Sequence, residues 1–306
     1  MQTIKIIFSS LLALIIALTL FAIVFYRVKD VEAKTLTQAD RKAAGGEYIK
    51  LSAGLTHYQV AGPDTGKVII LIHGFSVPYF IWDGTFEYLA GKGFKVVRYD
   101  MYGRGFSDRP DVIYNNALYM NQLVELIKQL KLKQPVSLAG ISFGGEVSTD
   151  FTCLHPDLVN KVILIDPGYT SKPPGDPQFL TYFKEGTDPE GRAKGQLTDF
   201  KYPDRHPEWV SKYKVQMAYK GFRNALISTH YNYAHNGRQS SACLNDTHKP
   251  VLLIWGREDQ TVPFNYSDSI RSVLKAEFFP VADARHLPSI EKPDLVNQKI
   301  VSFLRD

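Results

Sequence analysis

Cysteine is scarce in this sequence: Cys153 and Cys243 are the only two in 306 residues. Two are too few for a disulfide scaffold, they lack the paired spacing of a zinc site, and no bridge between them is expected. Cys153 is expected to pack as a small hydrophobe. Charge of one sign is lacking too. The 36 Lys and Arg stand against 31 Asp and Glu, an excess of 36 − 31 = +5 spread along the chain in both signs. No basic stripe marks a nucleic-acid surface. There is no internal repeat and no low-complexity stretch. With 44% hydrophobic residues the composition is that of a folded chain, which excludes disordered and collagen-like classes. The length allows one large domain or two small ones with a sizeable core. No residues cluster at ligand spacing, so neither a metal nor an organic cofactor is expected.

What the chain does have is one long uncharged apolar run, residues 6–26. At 1.5 Å per residue it makes a helix of about 31 Å, close to the roughly 30 Å hydrocarbon core of a bilayer. Lys5 bounds it on one side, Arg27 and Lys29 on the other. A cleaved signal peptide is the competing reading, since Val31-Glu32-Ala33 loosely resembles a cleavage site. Signal h-regions run only about 7–15 residues, and charges follow this run before Ala33. An uncleaved single-pass anchor is therefore expected over residues 1–26. The flanking positive charges are nearly balanced and assign no side to the rest of the chain. Sequons at Asn245 and Asn265 would matter only in a eukaryotic secretory setting. Residues 27–46 are charged and small and read as a tether.

From Glu47 onward the pattern changes. Residues 48–51 and 55–60 alternate, as half-buried antiparallel strands do. Continuous apolar runs come next at 68–72, 96–97, 136–139, 162–165 and 251–254, the mark of parallel strands buried on both faces. Residues 117–132 and 295–304 carry apolar side chains at helical spacing. Strands alternating with helices predict an α/β fold, a mostly parallel central sheet flanked by helices. The alternation breaks at residues 167–249, rich in Pro, Gly, Lys and aromatics. That stretch is expected to form a helical cap over the sheet's carboxyl edge, where open α/β sheets bind ligands. It divides the core into 47–166 and 250–306. The cap's aromatics are expected to build mainly its own small core.

The central chemical signal is Gly140-Ile141-Ser142-Phe143-Gly144-Gly145, directly after an apolar strand and before a helix-compatible run. G-x-S-x-G in that context places a serine on a sharp strand-to-helix turn, with glycines because the backbone must fold tightly around an exposed Oγ. Serine needs a base to take its proton. Among eight histidines, His286 lies in a loop after the apolar segment 278–281 and before the last helix, at the same sheet edge as Ser142. His57, His73, His155, His206, His230, His235 and His248 are read as surface or core residues, with His73 bonding its own loop. Asp259, just past the strand 251–255, is the expected acid that orients the base; Asp166, after the strand ending at Ile165, competes, and Glu258 is weaker. Backbone N–H groups of Phe143 and Phe75 are the candidates for an oxyanion hole.

These motifs resemble the α/β-hydrolase superfamily over residues 47–306. The resemblance rests on His73-Gly74-Phe75, the segment 100–107, Gly140–Gly145 with its serine, the segment 256–263 and His286-Leu287-Pro288, in the order Ser, Asp, His. Where glycine commonly precedes the base stands Arg285, placed to narrow the site mouth or touch substrate. Haloalkane dehalogenases and epoxide hydrolases of the superfamily use an aspartate nucleophile, and Ser142 argues against both. With an anchor and an aromatic cap the layout resembles membrane-anchored monoacylglycerol lipases and related bacterial esterases. It implies hydrolysis of carboxylic esters with apolar acyl chains, the substrate a small molecule or lipid and the membrane a partner through the N-terminal helix. A carbon–carbon bond hydrolase of the same fold, a slowly turning ligand sensor, and haloperoxidase-like or thioesterase activity share these residues.

Overall fold

The computed structural model describes residues 2–306. It opens with α1 (Gln2–Lys29), a helix with a segment long and apolar enough to cross a membrane, none of it buried inside the protein. A short α2 (Gln38–Ala44) comes next. Thr37 caps it reciprocally with Asp40, each side chain taking the other's backbone N–H. The segment between the two helices lies against the body: Lys34 N donates to Ala218 O and Lys34 O accepts from Lys220 N.

The alternating segments form the antiparallel hairpin β1 (Glu47–Leu51) and β2 (Gly54–Ala61). The apolar runs become β3 (Val68–Ile72), β4 (Lys95–Tyr99), β5 (Val136–Ile141) and β6 (Val159–Ile165), with α3 (Asp83–Gly91), α4 (Asn116–Gln129) and α5 (Phe143–Leu154) between them. Asn115 starts α4 by accepting the N–H of Leu118 on its side chain. After β6 come the two-residue β7 (Thr170–Ser171), α6 (Gln178–Thr187), α7 (Pro189–Gly195), α8 (Trp209–Met217), α9 (Phe222–Asn232), β8 (His235–Asn236) and α10 (Gly237–Asp246). The chain then re-enters the sheet with β9 (Val251–Gly256), α11 (Tyr266–Arg271) and β10 (Glu277–Val281), and closes with α12 (Pro288–Glu291) and α13 (Pro293–Arg305).

The eight strands run in the order β1-β2-β4-β3-β5-β6-β9-β10. Every pairing from β4 to β10 is parallel. All five residues of β3 and all six of β5 are buried, because helices cover both faces of the sheet. One face packs Ile70, Leu138, Leu253 and Phe151; the other packs Ile69, Leu71, Ile163 and Ile300. This is the mostly parallel, helix-covered sheet expected from the strand and helix pattern, in keeping with what the resemblance to α/β-hydrolases implies.

Residues 178–246 are helical apart from the short β8 and connecting turns, and most of their aromatics turn inward. Phe200, Trp209, Tyr213, Phe222 and Tyr233 are buried, while Phe179 on α6 is 68% exposed. One expectation is corrected here. Cys153 on α5 and Cys243 on α10 form a disulfide, their Cα atoms 6.0 Å apart. Sequence spacing gave no sign of it, since the cysteines are 90 residues apart and only the packing of α10 on α5 brings them together.

Candidate active site

Ser142 occupies the turn between β5 and α5 with φ +54°, a conformation non-glycine residues seldom adopt. The turn is held from several sides. Ser142 N donates to Ile165 O, and Ser142 O accepts from Gly145 N and Gly168 N. Its glycines are sterically required. A Cβ on Gly140 would overlap Gly144 O, and one on Gly144 would overlap Ile72 O. Strand β3 and helix α5 therefore approach as closely as backbones can, and the hydroxyl is lifted to the sheet's carboxyl edge.

His286 and Asp259 come from the loops after β10 and β9, which are parallel neighbours. Asp259 Oδ2 accepts from His286 Nδ1 at 2.8 Å, and its Oδ1 accepts from Thr261 N and Val262 N at 2.8 and 3.0 Å. Both residues are buried. Burial alone would lower the pKa of the imidazole; the hydrogen bond and charge of Asp259, with Asp199 behind, more than offset it, and the net shift is upward. Nε2 accepts no hydrogen bond among the described residues, and His286 lines the cleft. His286 N donates to Asp199 O, so the cap helps seat the loop that carries the imidazole.

Ser142 and His286 line one cleft of about 280 Å³, together with Phe75, Val77, Arg192 and Asp199. Ser142 and Phe75 also line a second cleft of about 260 Å³ containing Phe143, Glu146, Ser171 and Tyr266. The serine thus stands between two arms. Glu146 is buried in the second and accepts from Ser171 Oγ; burial is the main force pushing its pKa up to about 7.

Phe143 is the first residue of α5, so its N–H has no intrahelical acceptor. Phe75 packs its ring edge-on against that of Phe143 at 5.8 Å, and Gly74 lies beside Ser142. His73 sits in the loop as expected. Its Nδ1 donates to Gly74 O and its Nε2 accepts from Met101 N, and burial lowers its pKa to about 4, which keeps it neutral.

Two residues behave in ways the sequence did not announce. Arg104 is fully buried and donates to Phe75 O, Tyr102 O, Tyr119 Oη and Thr229 Oγ1, tying the Phe75 loop to α4 and α9. The one local signal was a charged residue between two glycines, Gly103 and Gly105, which reads equally well as a surface turn. Arg285 lines neither cleft; its guanidinium reaches Thr198 O, on the rim of the first, and Phe200 O at 3.5 and 3.4 Å.

A family model of the alpha/beta hydrolase fold matches residues 67–293. The chain belongs to the alpha/beta hydrolases. Among relatives of this hydrolase, the AB hydrolase superfamily protein YfhM of Bacillus subtilis is 25% identical over 284 residues, covering 85% of this chain and 98% of its own. The enol-lactonase of Burkholderia xenovorans LB400 superposes with a TM-score of 0.74 at 21% identity, over 85% of this hydrolase and 100% of that chain. A membrane phospholipase A described as a bacterial virulence factor superposes at 0.69 with 20% identity, over 96% and 97%. At these identities the superpositions speak for the fold.

Proposed function

We propose that this hydrolase is a membrane-anchored serine esterase acting on carboxylic esters with apolar acyl groups. The observation that carries the reading is the buried Asp259–His286 pair opening onto the cleft that Ser142 lines. Ser142 Oγ attacks the ester carbonyl carbon while His286 Nε2 takes its proton. The N–H groups of Phe75 and Phe143 receive the oxyanion, and Asp259 stabilises the imidazolium. Collapse breaks the bond to the alcohol, which leaves with the proton from His286. Water then repeats the sequence on the acyl-enzyme and releases the acid. The two arms beside Ser142 suit the two sides of an ester.

The anchored reading is supported by contacts at the end of the apolar helix and just beyond it. Glu32 accepts from Gly221 N and Arg223 N, and Arg223 donates to Asp30 and to Tyr26 Oη. Cleavage after Ala33 would remove all four contacts. The likeness to the membrane phospholipase A supports it as well: the 260 residues after residue 46 are 85% of the chain, whereas that match covers 96%. The disulfide supports placing the catalytic body on an oxidising side of the membrane.

The test is hydrolysis of nitrophenyl esters from acetate to palmitate by the full chain in detergent. Turnover that Ser142→Ala abolishes supports the proposal. Cleavage of vinylogous diketones without ester turnover would replace it with carbon–carbon hydrolysis, and ligand binding without turnover would make the chain a sensor.

A further inference from the structure

A second buried carboxyl lies beside His286 and Asp259. Asp166 comes directly after β6, is 0% exposed, and sits so that one oxygen or nitrogen from each of Asp166, Asp259 and His286 lies within 4.8 Å of the other two. Gly256 N donates to Asp166 Oδ1 at 2.9 Å. Oδ2 is buried and receives no N–H or O–H donor among the described residues. Among those residues no Lys, Arg or His forms an ion pair with Asp166, whereas Asp259 pairs with His286. The charged group behind it is Glu291 of α12, and the one behind His286 is Asp199 of the cap, both acidic.

Two carboxylates this close, shielded from water, do not both ionise while His286 is neutral. Their partners decide which keeps the proton. Asp259 accepts from three donors, His286 Nδ1 and the N–H groups of Thr261 and Val262, and each favours its charged form. Asp166 accepts from one. We propose, building on the Ser142–His286–Asp259 reading, that Asp166 carries a proton on Oδ2 and donates it in a hydrogen bond to the Asp259 carboxylate, as a positioning residue behind the catalytic acid. Burial, reinforced by the Asp259 charge, raises Asp166 well above the usual carboxylate range, in keeping with that assignment.

The bond has a chemical consequence. A neutral donor behind Asp259 draws off part of its charge, so the proton between Asp259 and His286 stays on Nδ1 and the imidazole is less basic than it would be facing an unbonded carboxylate. It also fixes the plane of the carboxylate that orients the ring. Asparagine reproduces both contacts at position 166, Oδ1 accepting from Gly256 and Nδ2–H donating to Asp259. Leucine reproduces neither.

The experiment compares kcat/KM against pH for the full chain, Asp166→Asn and Asp166→Leu. It is joined by the infrared difference spectrum between wild type and Asp166→Asn at neutral pH. The expected result is that Asp166→Asn leaves the acid limb in place, Asp166→Leu moves it to higher pH, and the difference spectrum carries the carbonyl band of a protonated carboxyl. An acid limb lowered by about one unit in Asp166→Asn, as loss of a negative charge requires, would overturn the proposal. So would a missing carbonyl band, or a leucine profile matching that of asparagine. The infrared readout needs no turnover. If Ser142→Ala still hydrolyses ester, the esterase reading fails while the proton assignment is judged separately by that band.

Discussion

Cys153 and Cys243 join α5, the helix that starts at the candidate nucleophile, to α10, the last helix before the chain returns to the sheet. The bridge closes a loop that contains β6 and most of the cap. In the chain-entropy treatment a loop of this length restricts the unfolded chain by about 4–5 kcal/mol, and removal of a native bridge from small secreted domains costs roughly 2–5. Cys243→Ser is therefore expected to lower unfolding stability by about 2–4 kcal/mol. Denaturant midpoints of the folded protein with and without reductant check this, and wild type insensitive to reductant would contradict it.

The glycines of the serine turn are predicted to tolerate nothing larger. Gly144→Ala places a methyl against the backbone of β3 and should cost about 3 kcal/mol or more, or prevent folding. Gly84→Ala is the matched control: it lies in α3 with open space around the new Cβ and should gain about 0.5 kcal/mol. Equal effects of the two in thermal unfolding would refute the steric account.

Activity and stability should move in opposite directions with pH around His286. In the proposed mechanism the imidazole must be neutral to accept the serine proton, and its pKa is raised, so kcat/KM should fall as pH drops through a value above 6.5. For stability the sign is reversed. A raised folded-state pKa contributes stability that is complete below the unfolded value near 6.5 and is lost as pH rises through the folded value. Matched pH series of turnover and denaturant midpoint, with a His286→Gln variant, test both halves.

Glu146 makes a similar prediction for a carboxyl. With its pKa pushed to about 7 it favours folding in its neutral form, and that contribution disappears between its unfolded value, near 4.5, and 7 as pH rises. Glu146→Gln keeps a partner for Ser171 and removes the titration. It should be more stable than wild type at pH 8, by up to about 3 kcal/mol, and no more stable at pH 4. A constant difference at the two pH values would dismiss the buried-acid account.

Arg104 is expected to behave as a structural charge. Arg104→Met leaves Phe75 O, Tyr119 Oη and Thr229 Oγ1 to find other partners, and should cost about 3–5 kcal/mol while loosening the Phe75 loop. Hydrogen exchange at residues 74–77, faster in the variant than in wild type, is the local readout.

How much of this could be read from the sequence depends on physical range. The strands were legible because burial on both faces leaves a continuous apolar run, as at Val68–Ile72. The placement of Ser142, Asp259 and His286 at one sheet edge was legible because each comes after a recognisable strand and a parallel sheet sends those ends to one edge. Contacts between distant segments left no local trace. Arg223 meets Asp30 across 193 positions, and Arg104 meets Thr229 across 125. Neither side chain differs in sequence from one that points to water. Asp166 was visible as a rival to Asp259, but its place beside the other carboxyl depends on how β6 and β9 pair.

The hold of Tyr26, Asp30 and Glu32 on α9 means that the body of this hydrolase is mounted on α1 rather than leashed to it. Two parallel bearings, at Arg223 and at the backbone of Lys34, leave no swivel between α1 and the cap. A tilt of α1 is therefore a tilt of the cap, and in the anchored form proposed above the heading of the cleft mouth follows that of the helix.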